Sequence, residues 1–303
     1  MIEPLSISRE EFPKSPITAE GMITLGIQQD NDELWGIRDI EYIDRNGVKL
    51  YIQLVVPSRR TKKIPLICYV PGSAFHWQDI PAIVPRLTYL ANRGMAVAAI
   101  QYRASDIAPF PAQCLDVKAA VHFLKEHAQE YDLDTEQFYL MGDSSGGNTV
   151  LLAGLTQGID LFEEDKDQVY DSLVKGVIDF YGPTDISKMN EELSTQNHIE
   201  PDSPEGYWIG RKNVLENMEL VEPTIVMNYI SKEREIPPVM IFHGTNDELV
   251  PFGQSCMLYE KLKECEKEAV FYAVEGAHHG GSEFWSNQIL DIVEQFVKTG
   301  VTV

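Results

Sequence analysis

A chain of 303 residues, 44% apolar and 24% charged, has the composition of a folded globular protein and the length for one sizeable α/β domain, which excludes disordered and fibrous classes. Its 25 Lys and Arg against 47 Asp and Glu give a formal net charge of -22. That charge repels nucleic-acid phosphates and anionic membrane surfaces, so the expected partners are neutral or weakly charged small molecules, not nucleic acid and not a membrane.

Cys68, Cys114, Cys256 and Cys265 are scattered without CxxC spacing and read as reduced thiols. The N-terminal MIEPLSISREEFPKS lacks a basic stretch followed by an apolar one, and no apolar run approaches a membrane span. The expected location is the cytoplasm. Nothing in the sequence selects an oligomeric state, and a homo-oligomer stays open.

Residues 1–36 mix Pro, Ser and acidic residues without periodicity and read as an N-terminal arm. The main domain is expected over 37–303. Apolar alternation in 37–43 and 50–56 flanks the turn signal Asp44-Arg45-Asn46-Gly47, which predicts an antiparallel hairpin. Six short apolar, β-branched and aromatic runs follow: IPLICYV, MAVAAIQY, QFYLMG, LVKGVIDFY, PPVMIFHG and AVFYAVEG. Most are separated by amphipathic, helix-like segments, the signature of a mostly parallel sheet with helices on both faces. The clearest helix is predicted over 113–130, with Leu115, Ala119, His122 and Phe123 near one face. His122 and His127 are then helix residues rather than ligands. Residues 186–237 interrupt the alternation with an acidic, Pro-punctuated stretch that predicts a small cap inserted over a site.

Gly142-Asp143-Ser144-Ser145-Gly146 matches GxSxG and lies between the predicted strand QFYLM and a helix-like segment, which points to Ser144 as a nucleophile on a strained strand-to-helix turn. Small neighbours give such a serine room, and the helix that follows aims N–H groups at developing negative charge. The amide of Ser145 is the first candidate oxyanion donor. A serine hydroxyl needs a base and an orienting carboxylate, which in this architecture follow in the order Ser, acid, His. Asp247 lies on the loop after PPVMIFHG, beyond the carboxyl edge of the sheet, and the loop after AVFYAVEG carries adjacent His278 and His279. Spacing leaves the choice between those two open. The second oxyanion donor belongs to the loop after IPLICYV, Pro71-Gly72-Ser73-Ala74-Phe75, with Phe75 and Trp77 as candidate pocket walls. No HExxH or comparable His and Asp ligand cluster occurs, so no metal and no cofactor is expected.

Taken together, PGSAF, QYR (101–103), PFPAQCLDVKAAVHFL, GDSSGG, HGTNDELVP and GAHHGGSEFW resemble the α/β-hydrolase superfamily, specifically its hormone-sensitive-lipase-like and BD-FAE-like carboxylesterases, over about residues 48–298. The last segment resembles GAGHGGxxFW, which puts His279 at the catalytic position. The same resemblance implies Ser144 as nucleophile, Asp247 as triad acid, and Ser73, Ala74 and Ser145 as amide donors. The family loop resembles HGGGW or HGGxW, whereas Pro71, Ser73 and Phe75 stand here for His, Gly and Trp. Proline has no N–H and serine disfavours positive φ, so Gly72 is kept as an alternative donor. The function implied is a serine carboxylesterase acting on short acyl esters, acetyl or small aromatic, with carbohydrate esters among them. Two other readings are an amide hydrolase of the same fold, such as an arylformamidase or an exopeptidase-like enzyme, and a non-catalytic binding protein on a hydrolase scaffold.

Overall fold

The computed structural model describes residues 3–27, 33–163 and 171–300; residues 1–2 and 28–32 of the expected arm lie outside them. The chain divides into two compact units, 1–31 and 32–303. The described part of the first has no helix or strand and is shaped by local turns, with Phe12 N–H donating to Arg9 O and Met22 N–H to Ala19 O.

The second unit is built on one eight-stranded sheet of order β1-β2-β4-β3-β5-β6-β7-β8. The strands are β1 (Leu34–Arg45), β2 (Val48–Pro57), β3 (Ile64–Val70), β4 (Ala96–Ile100), β5 (Leu133–Asp143), β6 (Gly176–Phe180), β7 (Val239–Gly244) and β8 (Ala269–Val274). Strand β2 runs antiparallel to β1 and β4, and every pair from β4 to β8 is parallel. This is the mostly parallel sheet with an N-terminal hairpin that the run pattern predicts. The hairpin starts three residues earlier than expected, at Leu34. It closes through Asn46 (φ 55) and Gly47 (φ 94), the doubly positive turn whose twist suits paired strands.

Helices cover both faces: α1 (Ile80–Ala91), α2 (Ala112–Glu126), α3 (Ser145–Leu155), α6 (Gly253–Glu264) and α7 (Asn287–Thr299), with the one-turn α4 (Pro204–Trp208) and α5 (Met218–Val221) between β6 and β7. Alternation along the strands splits the core in two. Leu66, Cys68 and Val70 of β3 pack toward α2, α3 and α6, while Ile67 and Tyr69 pack toward α1 and α7. Strands covered on both sides must be apolar at consecutive positions, which is why these runs read as continuous rather than alternating.

Helix α2 departs from the expectation of a single apolar face. Leu115, His122 and Phe123 are only partly buried, while Cys114, Val117, Val121 and Leu124 are deeply buried. Asp116 and Lys118 are buried too, held by Arg45 and Arg103 at 3.1 and 2.8 Å and by Glu163 at 2.9 Å. Burial of charge without pairing is costly, so these partners are the condition on which the helix can be enclosed. Arg103 and Asp116 thereby account for QYR and PFPAQCLD as structural motifs. His127 stacks on Phe123 and contacts its carbonyl at 2.8 Å, and His122 Nε2 lies 3.6 Å from Glu126.

Between β6 and β7, residues 186–237 form only short turns: 3-10 segments Ile186–Glu191, Glu222–Thr224 and Val226–Tyr229 beside α4 and α5. No helix among the described residues is long and apolar enough to cross a membrane.

Candidate active site

Ser144 stands between the last residue of β5 and the first of α3 with φ 53 and ψ -125, a backbone conformation that L residues other than glycine rarely adopt. Its N–H is anchored on Phe180 O at 2.9 Å. The turn is so tight that a Cβ on Gly142 would lie 2.4 Å from Gly146 O, and one on Gly146 would lie 2.0 Å from Val70 O. Both contacts are with backbone, which cannot swing away, so glycine is required at both positions of the motif.

His279 Nε2 lies 2.9 Å from Ser144 Oγ, and its Nδ1 lies 2.7 Å from Asp247 Oδ2. A carboxylate opposite Nδ1 selects the tautomer protonated there and leaves Nε2 to accept from the serine hydroxyl. The neighbouring His278 is exposed and turns to Glu248 instead, with Nδ1 3.0 Å from Oε2. The two histidines thus differ in orientation: 279 faces Ser144 and 278 does not.

Asp247 is held on all sides. Its Oδ1 accepts from the N–H groups of Leu249 and Val250, both at 2.9 Å, and its Oδ2 meets His279 and lies 3.3 Å from His243 Nε2. Burial opposes ionisation of this carboxyl. The hydrogen bonds from His243 and His279 and the charge they bring outweigh burial and hold it well below the usual carboxylate range. His243 is completely buried, its ring fixed by Ser255 Oγ at 2.7 Å and Val250 O at 2.9 Å. The sequence analysis did not single it out, although its spacing of four before Asp247 was visible. Tyr181 was also missed. Its ring, at φ 44 just past β6, meets the His279 ring edge-on with centroids 4.8 Å apart.

The loop after β3 corrects the list of candidate oxyanion donors. Gly72 N–H donates to Asp143 Oδ1 at 3.0 Å, and Ser73 N–H donates to Ser145 Oγ at 2.9 Å. Each amide has one proton, so neither is free for a substrate in this arrangement. The Ala74 and Ser145 amides have no acceptor among the described residues. Positive φ falls on Ala74 (52) and Phe75 (61), not on Ser73. The Ser73 hydroxyl instead links His76 O at 2.7 Å and Tyr102 Oη at 2.9 Å, tying the loop to the interior. Beneath it, Tyr69 Oη donates to Asp143 at 2.5 Å; burial pushes the Asp143 carboxyl up against this bond.

Ser144 and His279 open into a cavity of about 110 Å³, lined also by Ala74, Phe75, His198 and Glu205. Phe75 is a wall, buried and stacked on Trp208 with centroids 4.2 Å apart and planes 3° from parallel. Trp77 is not: it is 66% exposed and does not line this cavity. A larger open cleft of about 880 Å³ borders Asp247 from the other side but reaches neither Ser144 nor His279, so it is not where those groups meet. Among the described residues no cluster of His, Cys, Asp and Glu is arranged to hold a metal ion.

The BD-FAE family model matches residues 52–262. Among curated proteins, a probable carboxylic ester hydrolase, LipM of Mycobacterium tuberculosis, is 27% identical over 222 residues, 70% of this chain and 48% of LipM. A probable isoprenylcysteine alpha-carbonyl methylesterase of Oryza sativa subsp. japonica, ICME, is 25% identical over 80% of this chain and 58% of its own length. The chain thus spans about half the length of the curated relatives it matches. Among solved structures, a truncated carbohydrate esterase from gut microbiota superposes with a TM-score of 0.79 at 26% identity, covering 92% of this chain and all of that one. The native esterase Est2 of Thermogutta terrifontis, at 22% identity and a TM-score of 0.68, covering 88% of this chain and 92% of its own, shares the α/β-hydrolase fold.

Proposed function

The chain belongs to the BD-FAE family, and on that premise we propose that it is a serine carboxylesterase that cleaves short acyl esters through an acyl-enzyme. The observation that carries this reading is the unbroken relay from Ser144 Oγ to His279 at 2.9 Å and on to Asp247 at 2.7 Å. In the forward half, Ser144 Oγ attacks the ester carbonyl as its proton passes to His279 Nε2. Asp247, held ionised, stabilises the imidazolium and keeps the ring oriented. The Ala74 and Ser145 amides, the latter at the N-terminus of α3, receive the oxyanion. Collapse breaks the ester C–O bond, and His279 returns the proton to the departing alcohol. A water molecule then gives its proton to His279, attacks the acyl-enzyme, and releases the acid and free Ser144.

Substrate size follows from the cavity. A cavity of about 110 Å³ favours short acyl groups, and similarity to a carbohydrate esterase supports sugar acetates as candidates. The segment 186–237 acts as the cap, since Gln196, His198, Pro204 and Glu205 all come from it and close the cavity. The test is hydrolysis of p-nitrophenyl esters of increasing acyl length, with labelling by a fluorophosphonate probe. Turnover should peak at acetate or propionate, and Ser144→Ala should abolish labelling. A Ser144→Ala protein that is still labelled at wild-type rate removes the assignment. Faster cleavage of anilides or N-formylkynurenine than of esters moves the chain to the amide-hydrolase reading.

A further inference from the structure

Glu205 is out of place for an acyl pocket. It lines the cavity that contains Ser144 and His279, yet it is 3% exposed and its Oε2 has no hydrogen-bond partner among the described residues. Its other oxygen, Oε1, lies 3.0 Å from Nδ1 of the equally buried His198, whose Nε2 is 2.9 Å from Ser194 Oγ. The position is built rather than incidental. Ser203 caps α4 by accepting from Gly206 N–H at 3.0 Å, Pro204 opens the helix, and Glu205 and Trp208 follow three residues apart on one face. Trp208 is locked behind the oxyanion loop by its stacking on Phe75 and by Nε1–H donating to Gln113 Oε1 at 3.0 Å.

A buried carboxylate oxygen without a donor costs free energy that folding alone does not recover. An ionised carboxylate only accepts hydrogen bonds, so what satisfies it is an O–H or N–H group. His198 Nδ1 lies 3.0 Å from Oε1 but is itself without a hydrogen-bond partner among the described residues, so the outstanding requirement at Oε2 is for a donor from outside them. We infer that Glu205 is a specificity-determining residue that accepts a hydrogen bond from a substrate hydroxyl close to the scissile ester. This rests on the esterase reading and sharpens it: the substrates are esters with a hydroxyl near the carbonyl. That hydroxyl comes either from the alcohol side, as in a partly acetylated polyol or sugar, or from the acyl side, as in a 2-hydroxyacyl group.

Two isosteric pairs separate these sources. On the alcohol side, 2-hydroxyethyl acetate is compared with propyl acetate; on the acyl side, ethyl glycolate is compared with ethyl propionate. Each kcat/KM is normalised to the ester's own hydroxide-catalysed rate. Wild-type protein should favour the hydroxylated member of one pair by at least about tenfold, the range expected for a hydrogen bond to a buried charge. Glu205→Gln should pull that ratio toward one, an effect that a merely structural glutamate would not produce. Ratios near one in both pairs for wild-type protein overturn the inference, and that measurement needs no variant to fold. A preference that survives Glu205→Gln unchanged also overturns it. Absence of turnover on all four esters overturns the esterase reading itself, and the inference falls with it.

Discussion

The site is assembled from two regions that obey different rules. Ser144, Asp247 and His279 stand on turns at the carboxyl ends of β5, β7 and β8, where adjacent parallel strands fix the spacing of the loops that leave them. His198, Glu205 and Trp208 come from the segment between β6 and β7, which has no strand and only short turns, and which is held by individual side-chain contacts. On the proposed reading, the sheet supplies the reacting groups and the irregular segment supplies what they meet. Changes in the first region should cost chemistry, and changes in the second should cost selectivity or stability.

The largest effect should come from Ser144→Ala, which lowers kcat by roughly 10⁴- to 10⁶-fold with the fold intact by circular dichroism. Next is Asp247→Asn, expected to lower kcat on the order of 10³- to 10⁴-fold, because the amide no longer selects the productive imidazole tautomer. If Asp247→Asn keeps more than a tenth of wild-type activity, the carboxylate is not what orients His279. Since His243 and His279 hold the Asp247 carboxyl well below the usual range, mild acidification leaves that carboxylate ionised.

Trp208→Ala tests the second region. It should destabilise the protein by about 3–5 kcal/mol through loss of a large buried ring, read as a fall in the denaturant midpoint, and it should disturb the oxyanion loop through Phe75. A stable variant with unchanged kcat would mean that the loop does not lean on the irregular segment. The smallest expected effect is at Asp179 of β6, which is fully buried, accepts from Gly182 N–H at 3.0 Å and has no partner at Oδ2. Burial pushes its carboxyl up to about 7. The folded state therefore holds a proton that the unfolded chain, with an ordinary carboxyl, gives up near pH 4. Stability must fall as pH rises from about 4 to 7, with the full penalty above 7. Asp179→Asn should remove that slope, raising stability at pH 8 and changing it little at pH 4. Parallel curves of Tm against pH for the two proteins would refute the shift.

Much of the first region was legible in advance. The six apolar runs became β3 to β8, GxSxG fell on a strand-to-helix turn, and the loops carrying Asp247 and the histidine pair follow the predicted strands. The second region was visible only as an interruption. Nothing in KMNEELSTQNHIEPDSPEGYWIG marks Glu205 as different from the acidic residues around it. Trp77 was as plausible a wall as Phe75 until the loop's geometry sent one ring inward and the other to solvent.

What the sequence by itself determined is whatever depends on neighbours along the chain: strand runs that must be apolar on both faces, glycines flanking the serine of a tight turn, and the order of that serine, the aspartate and the histidine pair. Only the tertiary structure decided which amide protons are already spent, that Gly72 and Ser73 serve Asp143 and Ser145 while Ala74 stays open, and that α2 could bury Asp116 and Lys118. The physical reason is that hydrogen bonds and ion pairs saturate. Whether a group is free depends on partners tens of residues away, and local periodicity carries no record of them.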